Sequence, residues 1–364
     1  MKDEFYKVRY SLSPQLKEYD LISSVWKPYV MFFNKTNYKS EVYNLDKDGF
    51  RFNNLNIDMA NQTDKINSIF HPNLHKGFKK FGVVIGNSTA FGIGSSNDEK
   101  TIPGILSNKT DTYFFNMACS AYNGFQETII FQNFINYLNN VEKVIVFSGL
   151  IDVFMTYFNT EFDELFDSHY FSRIYLNELE NSTISFKKKM AKFTFEYFSK
   201  EKVDWKNITI KQLIKKVLSK KHLSNQKEKI LSNSDRKKIL TNIVKKNLKF
   251  WHNYQVGTKT KVIYVLQPLA TWCEKKKSSE EEKLFSVTDS SSIRLYKTWA
   301  DISKNFYSEY KLILEEECNN LNIEFLDCNS YFDKKFDEKW LFNDRIHLTD
   351  LGNEKVVDLI KSKF

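Results

Sequence analysis

Five short apolar runs, each separated from the next by a stretch of at least helix length, set the pattern of the chain: Phe81 to Ile85, Thr112 to Phe115, Val144 to Phe147, Val262 to Leu266 and Ile323 to Leu326. The runs are continuous rather than alternating, which suits strands covered by helices on both faces. Between them lie amphipathic stretches such as Phe125 to Leu138, Arg236 to Trp251, Tyr296 to Leu321 and Asn353 to Ile360. This alternation predicts an α/β domain with a doubly wound parallel sheet and right-handed crossovers. Ligands bind such sheets outside the carboxyl ends of the strands, so the loops after each strand are where chemistry is expected.

Two regions depart from the pattern. Residues 1–80 are polar and aromatic, with a turn at Asp46-Lys47-Asp48-Gly49, and are expected to form an irregular N-terminal layer packed on the sheet. Residues 157–235 interrupt the third and fourth runs with Lys-rich helical segments, read as an insertion over the sheet edge or site mouth, with Ile214, Val217 and Leu218 on one side. The core is then residues 81–156 and 236–364. Glu274 to Lys283 (EKKKSSEEEK) reads as a solvated loop.

Composition excludes disorder of the whole, since 41% of the 364 residues are hydrophobic and 16% aromatic. The net charge of +9 invites a nucleic-acid or membrane reading, but its distribution changes the picture. Residues 187–250 carry 20 basic and 5 acidic groups, a net of +15, leaving −6 on the rest. Within that segment Ile239, Leu240, Ile243, Val244 and Leu248 make an apolar stripe, so Lys237, Lys238, Lys245, Lys246 and Lys249 read first as its solvated face. A binding role for 187–250 points to an anionic glycan or a peripheral membrane contact, and no base-reading module suggests nucleic acid. Cys119, Cys273, Cys318 and Cys328 are scattered without metal-ligand spacing, so no metal site is expected and a reducing compartment is. No apolar leader or bilayer-length run is visible, and the expected setting is cytoplasmic, with membrane-peripheral contact as the variant.

Candidate chemistry lies in two loops. The first run enters Gly86-Asn87-Ser88-Thr89-Ala90-Phe91-Gly92-Ile93-Gly94, where a glycine before a serine at a strand end allows a tight turn presenting the hydroxyl, and the later glycines leave room for substrate. A phosphate loop lacks support, because neither GxGxxG spacing nor the Walker lysine is present; an ordinary serine in a strand-to-helix turn remains the plain reading. Near the C-terminus, Asn343-Asp344-Arg345-Ile346-His347-Leu348-Thr349-Asp350-Leu351-Gly352 places Asp and His three apart just before a final helix. That spacing lets a carboxylate bond one ring nitrogen while the other faces a hydroxyl.

Together these blocks resemble the SGNH, or GDSL-like, hydrolases from about Phe81 to Phe364. The resemblance implies a three-layer α/β/α, flavodoxin-like fold with a five-stranded parallel sheet. It also implies Ser88 as nucleophile, His347 as general base and Asp344 as its partner. Gly86-Asn87-Ser88 carries Asn where the family has Asp, and Asn116 to Asn123 has the form of the second block, which places Ala118 beside Ser88 as a backbone oxyanion donor. The third block departs: GxND becomes Gly149-Leu150-Ile151-Asp152, and isoleucine has no donor to offer. Loss of one such donor costs roughly 10²–10³ in rate. Asn123, Ser148 and Gln267 are the residues placed to replace it, and with Asn87 they are the candidate substrate contacts. Trp26-Lys27-Pro28-Tyr29 and Asp48-Gly49-Phe50-Arg51 are similar to N-terminal extensions of SGNH proteins from bacterial surface-polysaccharide pathways. Arg51 reads as a structural ion pair sooner than a contact to an anionic sugar. The implied activity is a cofactor-free esterase, or acyltransferase, acting on an O-acyl and foremost O-acetyl carbohydrate. The alternative is a catalytically weakened fold that binds a glycan or a partner.

Overall fold

The chain enters through helices α1 (Lys2–Leu12) and α2 (Leu16–Tyr19) and an antiparallel hairpin, β1 (Ser24–Lys27) with β2 (Met31–Asn34). The five apolar runs then form strands β3 (Lys80–Gly86), β4 (Thr112–Asn116), β5 (Val141–Ser148), β6 (Lys261–Leu266) and β7 (Glu324–Asp327). The computed structural model describes residues 2–21, 23–53, 66–158, 231–290, 294–302 and 304–364, all within one compact unit. The insertion expected at 157–235 lies outside the described residues except at its margins. There α6 (Leu150–Phe158) runs two residues past the expected boundary and α7 (Asn233–Thr258) starts three before it, fixed by a capping box between Ser232 and Asp235.

In the five-stranded sheet all neighbouring strands are parallel, in the order β4-β3-β5-β6-β7. Counted within the sheet this is 2-1-3-4-5, the flavodoxin-like order, whose switch point lies at the carboxyl end of β3. Ser88 follows directly, opening the short helix α3 (Ser88–Phe91). On one face Val84, Phe114, Ile145, Ile263 and Val265 pack under α4 (Ile102–Lys109) and α12 (Asp350–Lys361). On the other face α5 (Gly124–Phe134), α7 and α10 (Lys304–Asn320) pack together, with Phe131 edge-on to Trp251 at 4.9 Å. Alternate residues of each strand therefore serve different layers, which is why the runs are continuously apolar apart from Thr112 at the start of β4 and Glu324 in the edge strand β7. Each fully buried Val, Leu, Ile or Phe contributes about 1.5–3 kcal/mol. On α7 Leu240, Ile243, Val244 and Leu248 are buried and Ile239 is half-buried, while Lys237, Lys238, Lys245 and Lys249 face solvent.

The N-terminal region is regular up to Asn34, where α1, α2 and the hairpin replace the irregular layer expected, and is largely irregular in the described residues from 35 to 79. Its later part, at Arg51, bridges the edge strand β4 at Asn116. The Asp46 turn is present: Asp46 Oδ1 accepts from the amides of Asp48, Gly49 and Phe50 at 2.8–2.9 Å. Arg51 is fully buried, donating to Asp98 at 2.6 Å and to the Phe91 and Gly92 carbonyls at the end of α3. It is thus a structural ion pair that holds the segment bearing Ser88.

The reading of Glu274–Lys283 as a solvated loop is also corrected. Ser278 and Glu281 form a capping box that starts α8 (Ser279–Asp289), and the buried Glu281 carboxylate accepts from Lys275 and from the amides of Leu341 and Phe342. The box was present in the sequence as Ser-Ser-Glu-Glu; the charge run around it obscured it. The remaining α-helices among the described residues are α9 (Arg294–Asp301) and α11 (Cys328–Phe332). All four cysteines are buried and unlinked. Among the described residues no helix is long and apolar enough to cross a membrane.

Replacing Arg51 with methionine strips Asp98 of its cation in a dry site. We expect a loss of about 3–5 kcal/mol in unfolding free energy, measured by urea denaturation.

Candidate active site

The first half of the site is built by the turn after β3. A Cβ on Gly86 would come within 2.1 Å of the Phe147 carbonyl oxygen and 2.7 Å of Ala90 Cβ, so only glycine lets the chain pass so close to β5 before it turns. Asn87 caps α3, its Oδ1 accepting from the Thr89 amide at 3.2 Å. The same side chain pairs reciprocally with Gln267 at the end of β6, at 2.6 and 2.8 Å. Ser88, 4% exposed, is thereby fixed at the first position of the helix.

The second half is the loop before α12. Asn343 closes it, its amide donating to the His347 carbonyl at 2.8 Å and its Nδ2 to the Leu348 carbonyl at 2.9 Å. The two halves are then stitched together: Thr89 Oγ1 donates to the Ile346 carbonyl, Asn343 Nδ2 to that of Gly94, and Ser96 Oγ to Asp350. Gly94 has φ +99° and lies where a Cβ would meet Leu348 O at 2.5 Å and Asn343 Nδ2 at 2.6 Å. This glycine makes room for the partner loop, not for substrate.

Ser88, His347 and Asp344 meet as a consequence. His347 Nε2 lies 2.9 Å from Ser88 Oγ, and Nδ1 lies 2.8 Å from Asp344 Oδ2. With the proton on Nδ1, donated to Asp344, Nε2 is left to accept from the serine hydroxyl. Asp344 Oδ1 accepts from the amides of Ile346 at 3.0 Å and His347 at 2.8 Å. Burial alone would push the Asp344 carboxyl up, but the facing imidazole, Arg9 and the loop amide hold it well below the usual carboxylate range. An ionised carboxylate, an oriented imidazole and a hydroxyl in series form a proton relay able to activate the hydroxyl toward an acyl carbonyl. Among the described residues no cluster of side chains fits a metal ion.

The other sequence candidates fall elsewhere. Ala118 is fully buried and its amide donates to Asn116 Oδ1 at 3.2 Å, so it is not an available oxyanion donor in this conformation. Asn87 and Gln267 spend their amides on each other. Asn123 is the N-cap of α5, in a capping box with Gln126. Ser148 donates to the buried Glu127 at 2.7 Å. None of the three residues considered as substitutes for the missing donor at Ile151 therefore faces the relay with a free group. Near that position the structure is aromatic, with Phe154 of α6 stacked on Trp299 at 4.4 Å. The buried indole nitrogens of Trp272 and Trp299 have no acceptor in the protein among the described residues.

Sequence reasoning missed Arg9, whose Nη1 donates to Asp344 Oδ2 at 3.2 Å from 335 positions away. No local pattern marks it, because Lys2–Leu12 reads as an ordinary polar helix. Thr89 and Asn343 were within quoted motifs, but their bonding across the two loops exists only in three dimensions.

No family model and no curated protein matches the chain. Solved structures similar to it include an extracellular lipase from Streptomyces rimosus, 12% identical with a TM-score of 0.41, over 78% of this chain and 100% of the lipase. Another is a carbohydrate acetylesterase from Sinorhizobium meliloti, 10% identical with a TM-score of 0.40, over 79% of this chain and 100% of that one. A member of the lipolytic G-D-S-L family from Veillonella parvula is 10% identical with a TM-score of 0.39, over 78% and 98%. Likenesses this distant do not carry chemistry to this chain, which rests on the contacts among Ser88, His347 and Asp344.

If Asn87 and Gln267 serve the turn through each other, a double-mutant cycle of Asn87→Ala and Gln267→Ala followed by urea unfolding should give a coupling energy of about 1–2 kcal/mol. Additive losses would mean that the pair contributes nothing as a pair.

Proposed function

We propose that this chain is a serine esterase of the SGNH type that removes an O-acyl group, foremost O-acetyl, from a carbohydrate of a bacterial surface-glycan pathway, or transfers it to another hydroxyl. The observation that carries the reading is the unbroken series Ser88 Oγ, His347 Nε2, His347 Nδ1, Asp344 Oδ2, with contacts of 2.9 and 2.8 Å. Ser88 Oγ attacks the acyl carbonyl while His347 takes its proton. Asp344 holds the ring and stabilises the imidazolium, and the proton then passes to the departing sugar oxygen. Water, or an acceptor hydroxyl activated by the same imidazole, releases the acyl group from Ser88. The reaction so written uses no metal and no cofactor.

The oxyanion is the weak point of this machinery. The Ser88 amide, at the first position of α3, has no acceptor among the described residues and remains available. Ala118 is engaged and Ile151 has nothing to donate. At roughly 10²–10³ in rate per missing donor, slow turnover is the consequence. The same observation favours a second reading, in which the fold has given up turnover and binds a glycan or a biosynthetic partner.

The glycan part of the proposal is supported by the resemblance of Trp26–Tyr29 and Asp48–Arg51 to extensions of surface-polysaccharide proteins. Arg51 itself is buried and is not the sugar contact. We also propose the division into extension (1–80), core (81–156 and 236–364) and insertion (157–235), with the basic segment as the part that meets an anionic glycan or a cytoplasmic membrane surface.

A fluorophosphonate probe is expected to label the wild type and leave Ser88→Ala unlabelled. Equal labelling of both removes the serine-esterase reading. Hydrolysis of acetylated sugars should fall by about 10³-fold or more in His347→Ala. Retained glycan binding with no turnover in the wild type supports the second reading instead. Restoring a donor with Ile151→Asn is expected to raise kcat by about 10²-fold, read in a p-nitrophenyl acetate assay.

A further inference from the structure

We infer that Arg9 is a positioning residue for the Ser88–His347–Asp344 relay, brought in on the N-terminal helix and acting through Asp344 without touching substrate. The inference rests on the serine-esterase reading of that relay. Arg9 is 2% exposed, and its guanidinium is gripped by Asp20, to which Nε and Nη2 donate at 3.0 and 3.1 Å. This two-point hold fixes the plane of the fork and leaves Nη1 aimed at Asp344 Oδ2, 3.2 Å away.

The Asp344 carboxylate is then fully subscribed. Oδ2 accepts from His347 Nδ1 and Arg9, and Oδ1 from the Ile346 and His347 amides. Four donors fill the roughly four acceptor sites of a carboxylate, so it has no freedom to swing away from the imidazole. Arg9 also sets the field. Its positive charge draws on the same oxygen that steadies a protonated His347, while Asp20 draws part of that charge back. Arg9 and Asp344 are 2% and 1% exposed, so the interaction between them is only weakly screened.

Tyr10 OH donates to Asp20 Oδ2 at 3.1 Å, and burial with Asp20 pushes the phenol up to about 12, so it stays neutral. Arg345, next to Asp344 in the loop, is turned away to Asp289 and Thr271. The same N-terminal segment ties both halves of the site: Ser13 Oγ donates to Asn343 at 2.6 Å, Gln15 to the Gly94 carbonyl at 2.9 Å, and Tyr19 OH to that of Ser95 at 2.9 Å.

The test follows the His347 imidazole by NMR through a pH titration in the wild type and in Arg9→Met, Arg9→Lys and Asp20→Asn, alongside kcat and KM on p-nitrophenyl acetate. In Arg9→Met the midpoint should move up by about one pH unit, a tenfold change in proton affinity, and the acid limb of the pH–rate profile with it. kcat should fall about tenfold at unchanged KM, since the residue is buried away from substrate. Arg9→Lys, which keeps the charge, should hold the midpoint near the wild type. Asp20→Asn leaves Arg9 less compensated and should move it down. Opposite shifts in two folded variants cannot come from loosening alone. Midpoints unchanged from the wild type, or shifted in the same direction in Arg9→Met and Asp20→Asn, overturn the inference. If Arg9→Met fails to fold, Asp20→Asn at a partly exposed position decides it. Failure of the esterase reading shows up separately, as a wild type that neither takes the fluorophosphonate nor turns over ester while the titration shifts persist.

Discussion

The bond between Ser88 Oγ and His347 Nε2 joins residues 259 positions apart, and much of the surrounding structure serves to make it. Closing so long a loop is entropically costly, so the two ends must be held by contacts that already exist before the hydroxyl and ring meet. The sheet supplies the first hold by placing both loops over its carboxyl edge. The second is a seam of short bonds, from Thr89 to Ile346, from Asn343 to Gly94 and from Ser96 to Asp350. The N-terminal segment lies across that seam and is bonded to both sides. Local geometry does the rest, with a glycine where β3 brushes the Phe147 carbonyl and an asparagine that caps and anchors in one side chain.

Electrostatics in the site follow from burial. Asp344 is an ionised group at 1% exposure, tolerable only because every oxygen lone pair has a donor. Two of those donors are amides of its own loop, from residues two and three positions on. The others are the imidazole of the same loop and an arginine from the far end of the chain. A relay of this kind separates tasks: the loop orients, the arginine adjusts, and neither depends on solvent. On the proposed esterase reading the oxyanion side has no comparable build: the Ala118 amide is engaged by Asn116 and Ile151 is aliphatic, so proton transfer would be well provided for and charge stabilisation sparsely.

Much of this was legible in the residues. Each of the five apolar runs became a strand within a few residues of its expected ends, because a continuous Val/Ile/Phe run bounded by polar turns has few other ways to be buried. The stripe on α7 and its solvated lysines were legible for the same reason. What escaped were roles that depend on a partner. Asn87, Ser148 and Gln267 are polar residues at strand ends and Asn123 is one before a helix, and sequence cannot tell whether such a group faces a substrate or another side chain. Each here has a protein partner, since a polar group buried beside a packed core must find one. The Ala118 amide is engaged by Asn116, and an amide's availability depends on backbone direction, which motif spacing does not encode.

The sequence by itself determined the order and type of the core elements, the strand end that carries Ser88 and the loop that carries Asp344 and His347. These are local properties, written in hydrophobic period, glycine placement and a three-residue spacing. The tertiary structure decided which polar groups are spent on the scaffold, that Arg51 is a strut and Gly94 a docking space, and that Arg9 completes the Asp344 carboxylate. Those outcomes turn on distances between segments far apart in the chain, and only packing sets such distances.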